Sequence, residues 1–174
     1  MSVWTEREGT IWIETRREGL LSPVGHDLRL EVGRFTIEVD RERDTVRATV
    51  KTATVRLRAA LDGDQERPGS IGGRDQRRIE RKIADDVLQT QRHPQAVFEG
   101  SSVVTTATGY ALEGSLTLRG VTRPIAVEAL RSEGRLVARV ALRKSDFGIR
   151  QVSALLGTLK VRDVVHVVVD VPEP

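Results

Sequence analysis

Residues 28–39 read Leu28-Arg29-Leu30-Glu31-Val32-Gly33-Arg34-Phe35-Thr36-Ile37-Glu38-Val39. Leu28, Leu30 and Val32 alternate with charged neighbours, the mark of a strand with one buried face. After Gly33 the phase flips by one residue. Phe35, Ile37 and Val39 become the apolar set, opposite Arg34, Thr36 and Glu38. A one-residue slip inside continuous strand character is what a β-bulge or a glycine bend produces. Bends of that kind let a sheet curl.

The event recurs downstream. Val46, Ala48 and Val50 share one face, and Ala53, Val55 and Leu57 carry the pattern in the other phase, with the slip near Lys51 and Thr52. Before these stretches, Ile11 and Ile13 open a first strand. After them, Phe98 and Val104 belong to a strand from about Ala96. Tyr110, Leu112, Gly114, Leu116 and Leu118 alternate next, then Ile125, Val127 and Ala129, and then Leu136, Ala138, Val140 and Leu142. The last strand carries Val165, Val167, Val169 and Val171. Asp40 to Asp44, Thr108-Gly109, Gly120 and Glu133-Gly134 supply turns.

One segment has helical spacing. Ile79, Ile83, Val87 and Leu88 predict a helix from Gln76 to about Gln91, with Asp75 as N-cap and Pro94 as stop. Asp62 to Gly73 reads as a long surface loop covering a mouth. Arg150 to Gly157, with Val152, Leu155 and Leu156, reads as a plug. The expected fold is all-β: a closed antiparallel barrel of about eight strands with one side helix, in a single domain over residues 1–174. A sandwich is the alternative, and two phase slips on long strands favour the barrel.

Composition narrows the function. The 174 residues hold no cysteine, which excludes disulfide and thiol chemistry. Aromatics are 3% of the chain, so the core must be aliphatic. The net charge is +3, but the 28 basic and 25 acidic residues mostly alternate. Only Arg74 to Lys82 is a local basic excess, read as a solvated helix face, so no nucleic-acid partner is expected. No apolar run approaches a membrane span. The start, MSVWTEREGTIW, has no apolar stretch of a signal peptide, so a cytoplasmic setting is expected.

Catalytic constellations are not visible. Asp146-Phe147-Gly148 has the letters of a kinase motif, but without the glycine-rich loop or the H-R-D sequence. Gly69 to Gly73 lacks the ending of a phosphate-binding loop. The three histidines, His26, His93 and His166, form no metal-ligand pair, so neither metal nor cofactor is expected. His166 is expected to face solvent, opposite the valines. His26 beside Asp27 is the best polar candidate, read as turn-bonding or lining a pocket mouth. Arg123, just before Pro124, either receives an anionic head group or pairs with an acid such as Asp146. Pro124 itself calls for an edge or a non-bonded strand position.

Several of these stretches fall in a familiar order. Gly25-His26-Asp27-Leu28 precedes Gly33-Arg34-Phe35. His93-Pro94 precedes Val97-Phe98-Glu99-Gly100-Ser101. Leu116-Thr117-Leu118-Arg119-Gly120-Val121-Thr122-Arg123-Pro124 and Lys144-Ser145-Asp146-Phe147-Gly148-Ile149 follow. The order resembles the YceI-like family across nearly the whole chain. The resemblance implies a lipocalin-like barrel that binds polyisoprenoid or fatty-acid-like lipids, with no catalytic residues and often a homodimer. Many relatives are exported and open the strand differently from Gly-His-Asp-Leu. The reading is therefore a non-enzymatic carrier of an apolar ligand. Lumen candidates are Leu28, Leu30, Val32, Phe35, Ile37, Val39, Phe98, Leu112, Leu116, Val127 and Phe147, with His26, Asp27 and Arg123 at the mouth. The alternative is a ligand-free interaction module using the basic helix face. An enzyme using His26 and Asp27 is a weaker third.

Overall fold

Gly33 bends one long strand into two. The computed structural model describes residues 1–18, 25–154 and 159–174. Its first elements are β1 (Ser2–Thr5), β2 (Thr10–Thr15), β3 (Arg17–Glu18), β4 (Asp27–Val32), β5 (Phe35–Asp40), β6 (Thr45–Lys51), β7 (Val55–Asp62) and β8 (Gln65–Arg67). The break at Gly33 lies against the 3-10 turn Thr52–Thr54, which separates β6 from β7. There the Gly33 N–H donates to the Thr54 carbonyl at 3.0 Å. A Cβ at Gly33 would sit 3.0 Å from that same oxygen, so a larger residue would crowd the approach. The two slips are therefore one shared corner. Above it β4 pairs with β7, and below it β5 pairs with β6. The first strand breaks too: β1 pairs with β5 and β2 with β4, joined by a turn in which Glu8 and Gly9 N–H groups donate to the Thr5 carbonyl.

After β8 come α1 (Gly73–Lys82) and a π turn, Ile83–Val87. Then follow β9 (Gln95–Thr105), β10 (Gly109–Leu118), β11 (Val121–Ser132), β12 (Arg135–Arg143), a 3-10 turn over Lys144–Phe147, β13 (Ser153–Ala154), β14 (Leu159–Val161) and β15 (Val164–Pro172). Twelve strands form one antiparallel sheet in the order β1-β5-β6-β9-β10-β11-β12-β15-β2-β4-β7-β8. A small sheet, β13-β14-β3, is separate.

The sheet curls as expected, but its count and closure differ from the expectation. Three long strands are each cut in two at a corner, and β8 is added, so about eight becomes twelve. The pairing order also has two ends, β1 and β8, rather than forming a ring.

Four local expectations need correction. The helix starts three residues before Gln76, with Gly72 at its N-cap and Asp75 inside the first turn, and it ends at Val87. A carboxylate in the first turn is favoured by the helix dipole without serving as a cap. The stretch Asp62 to Gly73 is not all loop, because β8 folds back on β7. Ala53 is exposed, as it lies in the 3-10 turn rather than on the strand face. Val104 is 59% exposed. Ser102 has φ +57° and the β9–β10 register shifts beside it, which turns Val104 outward and Val103 inward. Of the expected plug, Leu155 and Leu156 lie outside the described residues.

The helix covers what would be an open edge. Ile79, Ile83 and Leu88 pack against the core. Glu80 Oε1 accepts the Leu57 N–H of β7 at 2.9 Å, so the helix supplies a partner to a strand edge. Between β11 and β12 the ladder stops part-way along two long strands. Their register holds only from Ala129↔Ala138 to Ser132↔Arg135. Beyond that, residues 121–128 of β11 pair with β10 alone, and residues 139–143 of β12 with β15 alone. Pro124 sits in this stretch, opposite Ser115 of β10 and with no β12 partner on its other side, a position that tolerates a missing N–H.

Candidate ligand cavity

The inward faces enclose a cavity of about 1080 Å³. Leu28, Leu30 and Val32 of β4 line it, as do Ile37 and Val39 of β5. Phe98, Leu112, Leu116 and Val127 line it from β9, β10 and β11, and Phe147 lines it from the turn after β12. More of the wall comes from positions read in sequence only as strand faces, such as Ile11 and Ile13, Val46, Ala48 and Val50, and the alternating residues of β12 and β15, and the helical segment adds Ile79, Ile83, Val87 and Leu88.

Phe35 is the exception among the lumen candidates. It is the largest side chain below 2% exposure and is packed in the core cluster with Trp4 and Val55, not on the cavity wall. It lies at the corner, where the inward face is filled by the bend itself. Of the mouth candidates, His26 lines the cavity. Asp27 turns away to structural work. Its carboxylate accepts the Arg17 N–H at 2.8 Å and meets Arg16 Nη1 at 3.3 Å. Arg123 is exposed on the outer side of the wall, and the nearest acceptor to Nη1 is the Thr122 carbonyl at 3.3 Å.

Charged side chains line the cavity in three places, one of them on α1, where Asp75, Arg78 and Lys82 reach it. Arg17, Lys144 and Lys160 line one end, where β3 pairs with β14. Asp40, Arg41 and Asp44 line the other. Lys144 was missed in sequence, yet it continues the inward phase of Leu136, Ala138, Val140 and Leu142. It is 7% exposed. Its Nζ donates to the Arg162 carbonyl at 2.7 Å and lies 3.8 Å from Asp163. Burial pushes its pKa down, and the carboxylates of Asp163 and Glu18 only partly oppose that. The strand faces between the ends are mainly aliphatic, with Trp4, Phe98 and Tyr110 added. Such a surface holds an apolar chain by removing it from water and gives no directional bond along its length.

A second polar cluster lies outside the wall, on β2, β4, β12 and β15. Glu14 is 4% exposed and accepts from Arg29 Nη2 and Arg139 Nη1, each at 2.8 Å, with Arg16 at 3.7 Å. Burial alone would raise the Glu14 pKa, but the bonds from Arg29 and Arg139 outweigh it and hold the carboxyl low. His166, expected to face solvent, stands opposite Glu14 and is half-buried there. Burial, with Arg139 nearby, lowers its pKa. Trp12, beside them, carries Arg29 over its ring at 5.3 Å. Among the described residues, no three His, Asp or Glu side chains are placed to hold a metal, and no helix is long and apolar enough to cross a membrane.

The model of the YceI-like domain matches residues 17–172. The chain belongs to the YceI-like domain family. The YceI-like chain is 32% identical over 98 residues to a UPF0312 protein of Serratia proteamaculans (strain 568); the match covers 56% of this chain and 43% of that relative. Its fold is similar to a polyisoprenoid binding domain from Saccharophagus degradans implicated in plant cell wall breakdown, with TM-score 0.63, 11% identity and coverage of 100% and 99% of the two chains. It is also similar to BcnA of Burkholderia cenocepacia, with TM-score 0.61, 14% identity and coverage of 95% and 96%.

Proposed function

We propose that this YceI-like protein binds and carries a long-chain apolar ligand, polyisoprenoid or fatty-acid-like, inside a barrel of eight staves. The observation that carries the reading is the cavity of about 1080 Å³ whose strand walls are aliphatic, with charge brought by the two ends and by Asp75, Arg78 and Lys82 of α1. Closure follows if β1 and β2 are counted as one stave. β1 stands first in the sheet beside β5, β2 stands ninth beside β15, and only residues 6–9 separate them. The polyisoprenoid-binding neighbour supports the ligand class, and the inward candidates from Leu28 to Phe147, except Phe35, are the contacts proposed. The role is binding rather than catalysis.

Native mass spectrometry of freshly purified protein, followed by lipid extraction, tests the reading. The expected result is a mass above that of the polypeptide and an extractable lipid. A bare mass, with no uptake of added isoprenoid or fatty acid, overturns it. With a series of n-alcohols, each added methylene should tighten binding about fourfold, from about 0.8 kcal/mol per buried CH₂. Capture should also be nearly independent of salt. Partner binding that falls steeply with salt, through the exposed Arg74, Arg77, Arg78 and Arg81, would instead support the interaction module.

A further inference from the structure

We propose that the ligand enters and leaves the lumen sideways, through the seam between β11 and β12; the inference rests on the reading that the lumen holds an apolar ligand. Four register pairs join these strands, and then they part. Among the described residues, no backbone hydrogen bond joins residues 121–128 to residues 139–143. The seam holds a hollow of about 510 Å³ on its outer side. Ile125, Val140, Leu142 and Phe147 line both that hollow and the lumen. The two spaces are thus divided by four apolar side chains, with no intact ladder between them. Exposed Arg123, Glu128, Arg139, Arg143 and Asp146 form the outer lip, so a wet rim leads to a dry throat.

The energetics favour this route over the ends. Passage through the seam needs side chains to change rotamer, which occurs quickly compared with the opening of a strand pair. Passage through the Lys144 end takes an apolar chain past a buried ammonium held by the Arg162 carbonyl, with the β3–β14 pair beside it. Passage through the other end takes it past Asp40, Arg41 and Asp44, where Arg41 is tied to the Pro174 carbonyl at 2.7 Å. Phe147 is the stopper of the seam. It is 2% exposed and is positioned by the turn that ends at Gly148, whose φ of +68° favours glycine and whose carbonyl accepts from Arg119 Nη1 at 3.0 Å.

The chain has no cysteine, so introduced ones are unique. Continuing the β11–β12 register past Ala129↔Ala138 sets Ala126 against Ala141, both exposed at the seam. In an Ala126→Cys, Ala141→Cys protein bridged by a short bis-maleimide, the association and dissociation rates of a fluorescent polyene fatty acid should both fall by about tenfold or more, with affinity unchanged. Single-cysteine proteins capped with a mono-maleimide should exchange at the parent rate. Phe147→Ala should accelerate both rates and needs no cross-link. A bridged protein that loads at the parent rate, or a Phe147→Ala protein with unaltered rates, overturns the route while leaving the ligand reading standing. A parent protein that never takes up the probe overturns the ligand reading and the route with it.

Discussion

Replacing Glu14 with glutamine isolates the charge at the centre of the outer cluster. The side chain keeps its shape, but one oxygen becomes an NH₂ group facing an arginine. Glutamine keeps one acceptor, so of the two 2.8 Å bonds from Arg29 and Arg139 one is lost and the other continues from a cationic donor to a neutral oxygen. A hydrogen bond to a charged group contributes about 1.5–3 kcal/mol, so losing one and weakening the other costs roughly 2–4 kcal/mol before water compensates. The Arg139 side chain is 47% exposed and recovers part of this from water, whereas the Arg29 side chain is 15% exposed and recovers little. The expected cost at neutral pH is about 2–3 kcal/mol. For a domain of this size that lowers Tm by about 4–12 °C. The sign with pH is fixed by the direction of the shift. A carboxyl held below its ordinary 4.5 in the folded state stabilises fully above 4.5, and that contribution is lost as pH falls through the folded value. Thermal unfolding of both proteins should therefore show a constant gap near neutrality that closes in acid. Equal Tm values at pH 7, or a gap undiminished well below 4.5, would refute the reasoning.

Gly114→Val should lower the urea midpoint by the equivalent of about 1–3 kcal/mol, because a Cβ there would meet the Gly100 Cα and the Phe98 ring at 2.7 Å; an unchanged midpoint would count against that packing. Phe35→Leu should destabilise by about 1–2 kcal/mol without altering probe affinity, since Phe35 is buried off the cavity wall; weakened affinity in a folded variant would place it in the site. The His166 ring should titrate below 6.5 by NMR, because burial and Arg139 disfavour its cation. The unfolded chain then takes up the proton first, so His166 costs stability as pH falls below 6.5. A midpoint at or above 6.5 would contradict the half-buried placement.

The corner was legible because two slips, at Gly33 and at Thr52, each flip an alternation that is otherwise unbroken. That they meet as one corner needed the pairing of β4 with β7 and of β5 with β6, which no single strand reveals. Val104 shows the limit of period-2 reading. A bulge at Ser102 reverses the phase without any glycine or proline to announce it. Phe35 shows a different limit, since the alternation gives the face but not whether that face is hollow or filled at a given height. Lys144 follows the inward phase of Leu136, Ala138, Val140 and Leu142, yet a lysine closing an aliphatic alternation looks in sequence like the strand's end. Pro124 carried more information than any apolar residue near it. Its missing N–H called for an unpaired strand position, and the seam between β11 and β12 supplies one.

The two structural neighbours keep the fold at 11% and 14% identity, and the nature of the wall explains how. An inward position on a curled sheet needs an aliphatic side chain of suitable volume, and Val, Leu and Ile exchange there at small cost. Burial of a chain along such a wall depends on area, which many sequences supply equally well. Substitution can therefore run freely along the staves without disturbing the cavity. Discrimination between ligands has to come from positions where one residue cannot replace another. In this chain the candidates are Lys144 with Arg17 and Lys160 at one end, Asp40 and Asp44 at the other, Asp75, Arg78 and Lys82 on α1, and the seam beside Phe147. On the proposed reading, the apolar wall would set how long a chain is held, while the charged positions and the seam would set which chain is admitted and how fast.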